Sequence, residues 1–444
     1  MDTTKTGLQI GYAKIDITPD YVIGLGGYSN SETRKSEGVA MPIYTTCIAM
    51  RSGDETILLF TIDKCGIPRI VCQLIRESVC PATGIPEEKV FIGATHSHSA
   101  PDFTRDEPGQ RYKQEFVDAA VKAAQEALAD LSPATIEATT TTVPNRAFVR
   151  HYITADGTYA GSNFGTISKE NPAIASILEA DCTMVLVKFV REGKKDVILV
   201  NWGAHCDWSK NIGFHLIAPS FAGPLRNKLE ELTGNHVAYF TAASGNVGGG
   251  SRVAAIKETL PQTWIEYGED LANAAFAALP NLQEVNSEGI QTCQRIVDVD
   301  VDHSWDPMIE QANEVYDLWK TVGKEEGDAL GKTYNFTSSY QARAIRTRYD
   351  MGKTTEMELN AFRVGGLGFT TGTYEMFSES GKAVRDGSPF PFTFLVTGNA
   401  TYVSSYAAFD YRCYEADTGL YARGTAEMVA HKLVEMLRKM KGEK

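Results

Sequence analysis

Short apolar runs alternate with longer amphipathic stretches along the chain. Runs rich in β-branched and aromatic residues predict strands at 7–14, 43–51, 56–61, 89–95, 135–143, 183–189, 197–202, 237–243, 289–299, 355–364 and 393–397. Apolar residues that recur every three or four positions predict helices at 67–80, 114–131, 224–232, 263–279, 306–322, 376–386 and 425–440. This alternation of strands and helices is typical of an α/β protein.

The connections between these elements bear on topology and domain organisation. Ser52, Gly53 and Asp54 lie between two apolar runs and predict a hairpin, so we expect mixed rather than purely parallel sheets. No internal repeat or linker divides the chain, which predicts a single domain over residues 1–444. The polar, charged stretch at 323–347 follows a predicted helix. We interpret it as an insertion or lid, or alternatively as a solvated surface excursion.

Composition narrows the class of protein. The 444 residues are 43% apolar and 22% charged, which is ordinary for a soluble globular protein. The formal net charge of −13 argues against nucleic acid as a partner, because phosphate binding needs a basic face. No apolar stretch reaches the roughly 18 residues of a membrane span. The start M-D-T-T-K-T-G lacks the features of a secretory signal, so the chain is either cytoplasmic or a mature exported form.

The strongest chemical signal follows the strand predicted at 89–95. The stretch V-F-I-G-A-T-H-S-H-S-A-P-D at 90–102 ends an apolar run with His96 and His98. In an extended backbone, side chains at i and i+2 point to the same face, so both imidazoles can converge on one metal ion or substrate. Such pairs also arise in packing or on the surface, because the spacing fixes neither the number of ligands nor their geometry.

Three further blocks carry reactive side chains near the ends of predicted elements. His205 follows a predicted strand in L-V-N-W-G-A-H-C-D-W, and His215, ten residues on, is a competing candidate. Glu375 opens a predicted helix in G-T-Y-E-M-F-S-E-S-G-K, where an acidic residue also simply complements the helix dipole. Tyr402 and Tyr414 belong to T-Y-V-S-S-Y-A-A-F-D-Y-R-C-Y-E, whose aromatic residues are alternatively explained as core and rim residues.

Together, these blocks resemble motifs of the neutral and alkaline ceramidases, zinc amidases that cleave the amide bond of N-acylsphingosines. A-T-H-S-H-S-A-P is similar to the family's A-T-H-T-H-S-G-P, and N-W-G-A-H is similar to N-W-x-x-H. The third block keeps the glutamate of the family's P-G-E motif and its spacing to a glycine, with Tyr374 replacing the preceding glycine. The fourth resembles H-Y-x-T-T-x-E-E-Y-x-x-Q-R-Y-E. The resemblance touches positions from about 7 to 430.

The resemblance implies a layered αββα fold with two central mixed sheets flanked by helices. It also implies a zinc ion held by His96, His205, Glu375 and Tyr402. Such a set leaves room for water, and water on a hydrolytic zinc has a pKa of about 7, so hydroxide is the expected nucleophile. His98 is then expected to act as acid or base and Tyr414 to donate to the developing oxyanion. Arg146, in P-N-R-A-F, resembles the family's N-R dipeptide and is expected to orient substrate or stabilise the oxyanion, unless it is an exposed, solvated arginine.

One departure from the family bears on mechanism. The ceramidases carry G-D-V-S-P-N, whose serine has been considered a nucleophile, whereas residues 245–250 read G-N-V-G-G-G and put Gly248 at the serine position. Water activated by the metal is then the expected route, although Ser244 and Ser251 lie nearby. The glycine run is not a phosphate loop, because no Gly-Lys-Ser/Thr follows. We expect it to let the backbone approach the pocket closely.

The leading hypothesis is a zinc-dependent amidase that hydrolyses the N-acyl bond of a ceramide-like lipid. The resemblance implies an exported enzyme, periplasmic or secreted, that meets a small amphipathic substrate at a membrane surface. The chain is expected to lack the immunoglobulin-like domain that ends the well-known ceramidases. A second hypothesis is the same metal site acting on another amide, an ester or a glycan-derived substrate, and a third is a catalytically silent binding protein.

Overall fold

The computed structural model describes residues 7–28, 30–161, 167–257, 259–397 and 401–442. Its strands, in chain order, are β1 (Leu8–Asp16), β2 (Gly38–Val39), β3 (Tyr44–Ser52), β4 (Glu55–Ile62), β5 (Val90–Ala94), β6 (Ser132–Thr142), β7 (Phe148–Val149), β8 (His151–Thr154), β9 (Tyr159–Gly161), β10 (Ala173–Ser176), β11 (Thr183–Arg191), β12 (Val197–Trp202), β13 (Leu216–Ile217), β14 (His236–Thr241), β15 (Val247–Gly248), β16 (Gln283–Val285), β17 (Ile290–Asp300), β18 (Thr354–Val364), β19 (Leu367–Gly372), β20 (Glu375–Met376), β21 (Phe392–Thr397) and β22 (Tyr402–Val403).

Its α-helices are α1 (Arg69–Thr83), α2 (Glu107–Ala129), α3 (Ser209–Ile212), α4 (Ala222–Thr233), α5 (Ala254–Lys257), α6 (Trp264–Ala278), α7 (Ile309–Thr321), α8 (Lys324–Thr333), α9 (Ser339–Tyr349), α10 (Ser378–Gly387), α11 (Tyr414–Thr418) and α12 (Thr425–Lys441). Each strand and helix predicted from the sequence is present, with the largest shift in bounds at the start of α2. None of the described helices combines the length and apolar character needed to cross a membrane.

The larger sheet has the strand order β14-β12-β11-β6-β1-β3-β4-β5, with β16 added beside β6. Most neighbours are antiparallel, whereas β4 pairs with β5 and β12 with β14 in parallel. The hairpin predicted at Ser52, Gly53 and Asp54 joins β3 to β4, whose residues pair in antiparallel register. The sheet is therefore mixed, as the sequence predicts.

Burial on both faces explains why several strands of this sheet are continuous apolar runs. In β4, Ile57 and Leu59 pack in the core between this sheet and a second sheet, which is formed by later strands. Leu58 and Phe60 point the other way and pack beneath the helices. Alternate residues of one run thus contribute to two different hydrophobic cores.

A second sheet, with the order β17-β18-β19-β21, packs face to face against the first. Phe91 of β5 stacks on Phe362 of β18 with ring centroids 4.3 Å apart. The buried Asn201 side chain of β12 exchanges hydrogen bonds of 2.7 and 3.0 Å with the backbone of Leu395 in β21. Apolar stacking and a fully satisfied polar bridge therefore fix the two sheets against each other.

Helices cover the outer faces of both sheets. Residues of α1 and α2 pack on one half of the larger sheet, and residues of α4 and α6 pack on the other half. Residues of α10 and α12 pack on the outer face of the smaller sheet. This layering is the αββα arrangement that the resemblance implies.

A helical insertion, residues 303–350, separates the neighbouring strands β17 and β18. Helices α7, α8 and α9 lie in it and share a small core of their own, formed by Ala312, Val315, Phe336, Ala342 and Ile345. The stretch at 323–347, interpreted from the sequence as an insertion or lid, holds α8 and most of α9. Arg348 of α9 donates to the Gly419 carbonyl at 2.6 Å, which ties the insertion to the segment after α11.

Candidate active site

Loops that follow β5, β12 and β14 meet to form a buried cluster. His96 lies just past the end of β5 and His205 just past the end of β12. These strands are far apart in the order of the sheet, but the Thr241 hydroxyl of β14 donates to the Thr95 carbonyl at 2.9 Å. Because β12 and β14 are parallel neighbours, this contact brings the carboxyl ends of all three strands together.

Backbone carbonyls fix the orientation of two imidazoles. His96 Nδ1 lies 2.6 Å from the Cys65 carbonyl oxygen, and His205 Nδ1 lies 2.9 Å from that of Ser244. A carbonyl oxygen only accepts, so each Nδ1 carries the proton and each Nε2 presents a lone pair. The two Nε2 atoms face each other at 2.8 Å. Burial lowers the pKa of His96 to about 4 and that of His205 well below its usual value, so both rings are neutral at pH 7.

His96 and His98 lie together, but not because the backbone is extended. The Nε2 atoms are 3.1 Å apart. Strand β5 ends at Ala94, and His96 has a φ of 65°, in the left-handed region that residues other than glycine rarely adopt. A strained turn rather than strand alternation therefore directs both rings to one point, and such strain is frequent at functional sites.

Glu375 and Tyr402 reach the cluster on a short parallel ladder. Strands β20 and β22 pair so that these two residues lie directly opposite each other. Glu375 Oε2 is 3.6 Å from His96 Nε2 and 3.8 Å from His205 Nε2. Glu375 thus lies on a strand, and the helix that the sequence predicts around it begins only at Ser378. Burial raises the pKa of the Glu375 carboxyl to about 7.

The donor atoms of this cluster fit a divalent cation. His96, His205 and Glu375 offer ligand atoms that all lie within 4.8 Å of one another. Glu375 Oε2 is buried and has no hydrogen-bond partner among the described residues. Buried lone pairs that face each other without a donor are unfavourable, and a cation removes that cost. Nitrogens 2.8 Å apart can each lie about 2.0–2.1 Å from one zinc ion.

His98 lies beside this cluster and keeps one ring nitrogen free within the described part of the chain. Its Nδ1 is buried without a hydrogen-bond partner there, and the nearest carboxylate oxygen, Asp207 Oδ1, is 3.9 Å away. The Tyr28 hydroxyl donates to that same oxygen at 2.6 Å, and its ring packs edge-on against His98 at 5.4 Å. Burial lowers the pKa of His98 to about 4. A neutral imidazole in this position can accept or relay a proton.

The arginine predicted to handle substrate, Arg146, lies elsewhere. Its guanidinium binds Asp270 of α6 at 2.9 Å, and it is not among the described residues that line the cavity over the cluster. The pairing with Asp270 holds the side chain away from the cluster. Arg150, four residues on, lines the cavity instead. It bonds the Tyr402 hydroxyl at 3.2 Å and the Glu415 carboxylate at 2.7 Å.

A cavity of about 590 Å³ opens over the cluster. Its wall contains His98, His205 and Arg150, and four tyrosines: Tyr28, Tyr340, Tyr402 and Tyr414. The Tyr414 ring lies edge-to-face against that of Tyr402, with centroids 6.1 Å apart. Burial raises the pKa of Tyr414 to about 12, so its hydroxyl stays protonated at neutral pH and can donate a hydrogen bond.

Comparison with known proteins identifies the architecture. A solved neutral ceramidase from Pseudomonas aeruginosa matches 99% of this chain and 75% of its own chain, with a TM-score of 0.70 and 17% sequence identity. The chain has the neutral ceramidase fold. A structure described as ceramidase complexed with C2 matches similarly, with a TM-score of 0.69, 16% identity and coverage of 99% and 76%. No protein-family model matches the chain, and no curated protein sequence matches it.

The ceramidase fold puts Gly248 beside the metal-binding candidates. Its backbone forms a bridge with His205, and β15 pairs with β7. A Cβ atom at Gly248 would meet nothing closer than 3.7 Å, so the backbone leaves room for the first side-chain atom of a serine at this position. Gly249 differs, because a Cβ would lie 2.7 Å from the Tyr267 ring. The Gly249 backbone thus packs closely on the Tyr267 ring, while Gly248, Gly249 and Gly250 all line part of the cavity.

The structure brings His205, and not the competing candidate His215, beside His96. His205 Nε2 lies 2.8 Å from His96 Nε2, whereas His215 Nδ1 lies 2.8 Å from the Lys35 carbonyl oxygen, outside the cluster. Arg150 and Asp207 escaped the sequence analysis although both line the cavity. The sequence does offer a reason to consider Asp207, because it lies two residues after His205 in the same block. Nothing in the spacing distinguishes Arg150 from other arginines.

Proposed function

We propose that the chain is a metal-dependent hydrolase that cleaves an N-acyl amide bond. The observation that carries the proposal is the meeting of His96 Nε2, His205 Nε2 and Glu375 Oε2 in a buried site without a donor between them. The fold shared with solved ceramidases supports an amide as the bond that is cleaved.

Zinc is the ion that we propose, with the Tyr402 hydroxyl as the fourth ligand. Two imidazoles and a carboxylate are a common donor set for catalytic zinc. When bound, zinc lowers the pKa of coordinated water to about 7 and supplies hydroxide near neutral pH. The hydrogen bonds from Nδ1 of His96 and His205 to backbone carbonyls hold both Nε2 lone pairs toward the ion.

His98 is the proposed proton carrier. Its ring contacts His96 at the cluster and lines the cavity where a substrate amide would lie. It can accept a proton from the attacking water and return it to the amine that leaves. Asp207, held by the Tyr28 hydroxyl, faces His98 Nδ1 and favours the protonated ring during this transfer.

Arg150 and Tyr414 are the proposed partners of the acyl oxygen, on which negative charge develops. The role expected for Arg146 passes to Arg150, because Arg150 lines the cavity and Arg146 is paired with Asp270. Glu415 bonds Arg150 at 2.7 Å and so fixes the direction of its guanidinium. Tyr414 also lines the cavity and is the proposed second donor.

A ceramide-like lipid is the first substrate to test, because both solved neighbours are ceramidases. If a ceramide-like lipid is hydrolysed, the role that follows is in sphingolipid metabolism, for an exported enzyme, periplasmic or secreted, that meets its amphipathic substrate at a membrane surface. Nucleic acid is not a partner in this proposal, given the net charge of −13.

The test combines elemental analysis with hydrolysis assays. Purified parent protein is compared with His96→Ala and Glu375→Ala, and with His215→Ala as a matched control outside the cluster. We expect about one zinc ion per chain in the parent and in His215→Ala, as for a mononuclear site. Both cluster variants should lose the metal and the hydrolysis of a labelled short-chain ceramide or N-acyl amide. Zinc retained in both cluster variants would contradict the proposed site.

A further inference from the structure

The cavity over the cluster has a second lobe of about 420 Å³, which shares Tyr28, Arg150, His205 and Asp207 with the first. The described residues that line the two lobes include no leucine, isoleucine, valine, methionine or phenylalanine. Binding of a long alkyl chain depends on burial of apolar surface against apolar walls. Within the described part of the chain, these lobes offer tyrosine, glycine, polar and charged groups, with Trp208 as the largest apolar surface.

The charged side chains that line the two lobes are mostly basic, whereas the protein as a whole is acidic. Their described lining carries five basic side chains, Arg150, Lys210, Arg252, Lys324 and Arg343, and one acidic side chain, Asp207. Two of the basic side chains are paired with carboxylates outside the lining, Arg150 with Glu415 and Lys324 with Asp328. The chain as a whole carries a formal charge of −13. A local excess of cations in a cleft of an acidic protein concentrates anionic ligands.

Arg343 is the cation of this group that is best placed to bind an anion. It lies on α9 and is half-buried, with its guanidinium 5.3 Å from the Tyr340 ring centroid and 5.9 Å from that of Trp319. It has no carboxylate partner among the described residues. Stacking on two aromatic rings holds the side chain in place and leaves its donors available for a carboxylate.

An aromatic wall connects Arg343 to the metal-binding candidates. Tyr340 lies edge-to-face against Tyr414 at 5.9 Å, Tyr414 against Tyr402 at 6.1 Å, and Tyr402 faces His205 at 6.5 Å. Tyrosine faces and hydroxyls suit planar polar groups such as amides. A substrate that extends along this wall would reach from the cluster to the helical insertion.

We propose that the substrate is a compact, polar acyl amide with an anionic group, such as a carboxylate, that binds Arg343 several bonds away from the amide that is cleaved. This inference rests on the proposed hydrolysis. In that reaction, the oxygen of water bonds to the acyl carbon, the carbon–nitrogen bond breaks, and the amine leaves with the proton. The anionic group takes no part in the chemistry and serves for recognition.

The test uses pairs of probes that differ only in charge. N-acetylglycine, N-acetyldiglycine and N-acetyltriglycine are compared with their C-terminal carboxamides, first in calorimetric binding and then in hydrolysis by zinc-loaded protein. We expect at least one length at which the acid binds ~10-fold or more tightly than its carboxamide, because hydrogen bonds between charged partners are among the stronger ones. The preference should appear in Kd and in KM.

Variants of α9 assign the preference to one side chain. Arg343→Gln should bring the ratio between acid and carboxamide affinities close to one, and Arg343→Lys should restore part of it. Arg346→Gln is the matched control on the same helix, because Arg346 stacks on Tyr316 and does not line either lobe. It should keep the preference of the parent.

Three results would overturn the inference. Equal binding of acid and carboxamide at every length, or a preference that survives in Arg343→Gln, would remove Arg343 as an anion site. Faster hydrolysis of a short-chain ceramide than of any peptide acid would contradict a polar substrate while leaving the proposed hydrolase intact. If no amide is hydrolysed, the proposed function fails, and the calorimetric comparison still decides whether the anion site exists.

Discussion

At the scale of single residues, the candidate site depends on backbone conformations that a motif does not reveal. His96 adopts a φ of 65°, and Gly27, whose φ is 99°, packs directly against His98. A Cβ atom at Gly27 would lie 2.6 Å from His98 Cγ, so only glycine allows the ring its position. The H-x-H spacing predicts a pair of imidazoles but not the turn that directs them.

Gly27→Ala is therefore expected to displace His98 without removing a metal ligand. Misplacing a catalytic group by ~1 Å can cost about 100-fold in rate, so kcat should fall strongly while the zinc content stays at the level of the parent. Gly53→Ala is the matched control, because Gly53 has a φ of 61° with nothing within 4 Å of the added atom. Gly53→Ala should lose roughly 1–2 kcal/mol of stability from the left-handed backbone, and Gly27→Ala should lose more, because its added Cβ would also lie 2.6 Å from His98 Cγ.

Metal analysis, kcat and the urea unfolding midpoint separate these effects. An unchanged kcat in Gly27→Ala would show that His98 does not take part in the reaction. A comparable loss of kcat in Gly53→Ala would mean that backbone strain alone explains the result.

At the scale of secondary-structure elements, the sequence predicts the long strands of the sheets better than the short strands and the helices of the insertion. The apolar runs that form β4, β5 and β12 are long and flanked by polar residues, so periodicity identifies them. Strand β19 was not predicted, because glycines interrupt its short apolar run, and its burial comes from its position between β18 and β21. Helices α8 and α9 were interpreted only as a polar stretch, since few of their residues contact a core.

A buried ion pair links the loop after β7 to α11. Glu415 bonds Arg150 at 2.7 Å and His151 at 2.9 Å. Burial by itself would raise the pKa of the Glu415 carboxyl, but the Arg150 charge and the His151 hydrogen bond hold it at about 2. A depressed carboxyl pKa stabilises the folded state above the unfolded pKa of about 4.3, and this contribution is lost as the pH falls from there to about 2.

Glu415→Gln should therefore cost up to about 3 kcal/mol of unfolding free energy at pH 6, and the difference from the parent should shrink as the pH falls below 4. Urea unfolding of both proteins at several pH values measures this. Glu435→Gln is a control at a half-buried carboxylate on α12, which pairs with Lys439 and Arg295 near the surface. A difference between parent and Glu415→Gln that is the same at pH 6 and pH 3 would contradict the assignment.

At the scale of the whole molecule, the sequence predicts the αββα class and three of the side chains that meet in the cluster. His96, His205 and Glu375 each belong to a block with recognisable spacing, and the fold brings them together from positions far apart in the chain. No motif in the sequence points to Arg150, Arg343 or Tyr340. Arg150 reaches the cavity because it directly follows β7, and Arg343 and Tyr340 reach it because α9 packs there. The acidic overall composition also gives no indication that basic side chains line the cavity.

If His96, His205 and Glu375 surround one divalent cation, anomalous X-ray diffraction at the zinc absorption edge will locate it among them. Crystals of the purified protein should give one strong anomalous peak within bonding distance of His96 Nε2, His205 Nε2 and a Glu375 carboxylate oxygen. The absence of a peak there in zinc-supplemented crystals, or a peak only at the separate group formed by His151, Cys413 and Glu415, would contradict the proposed metal site.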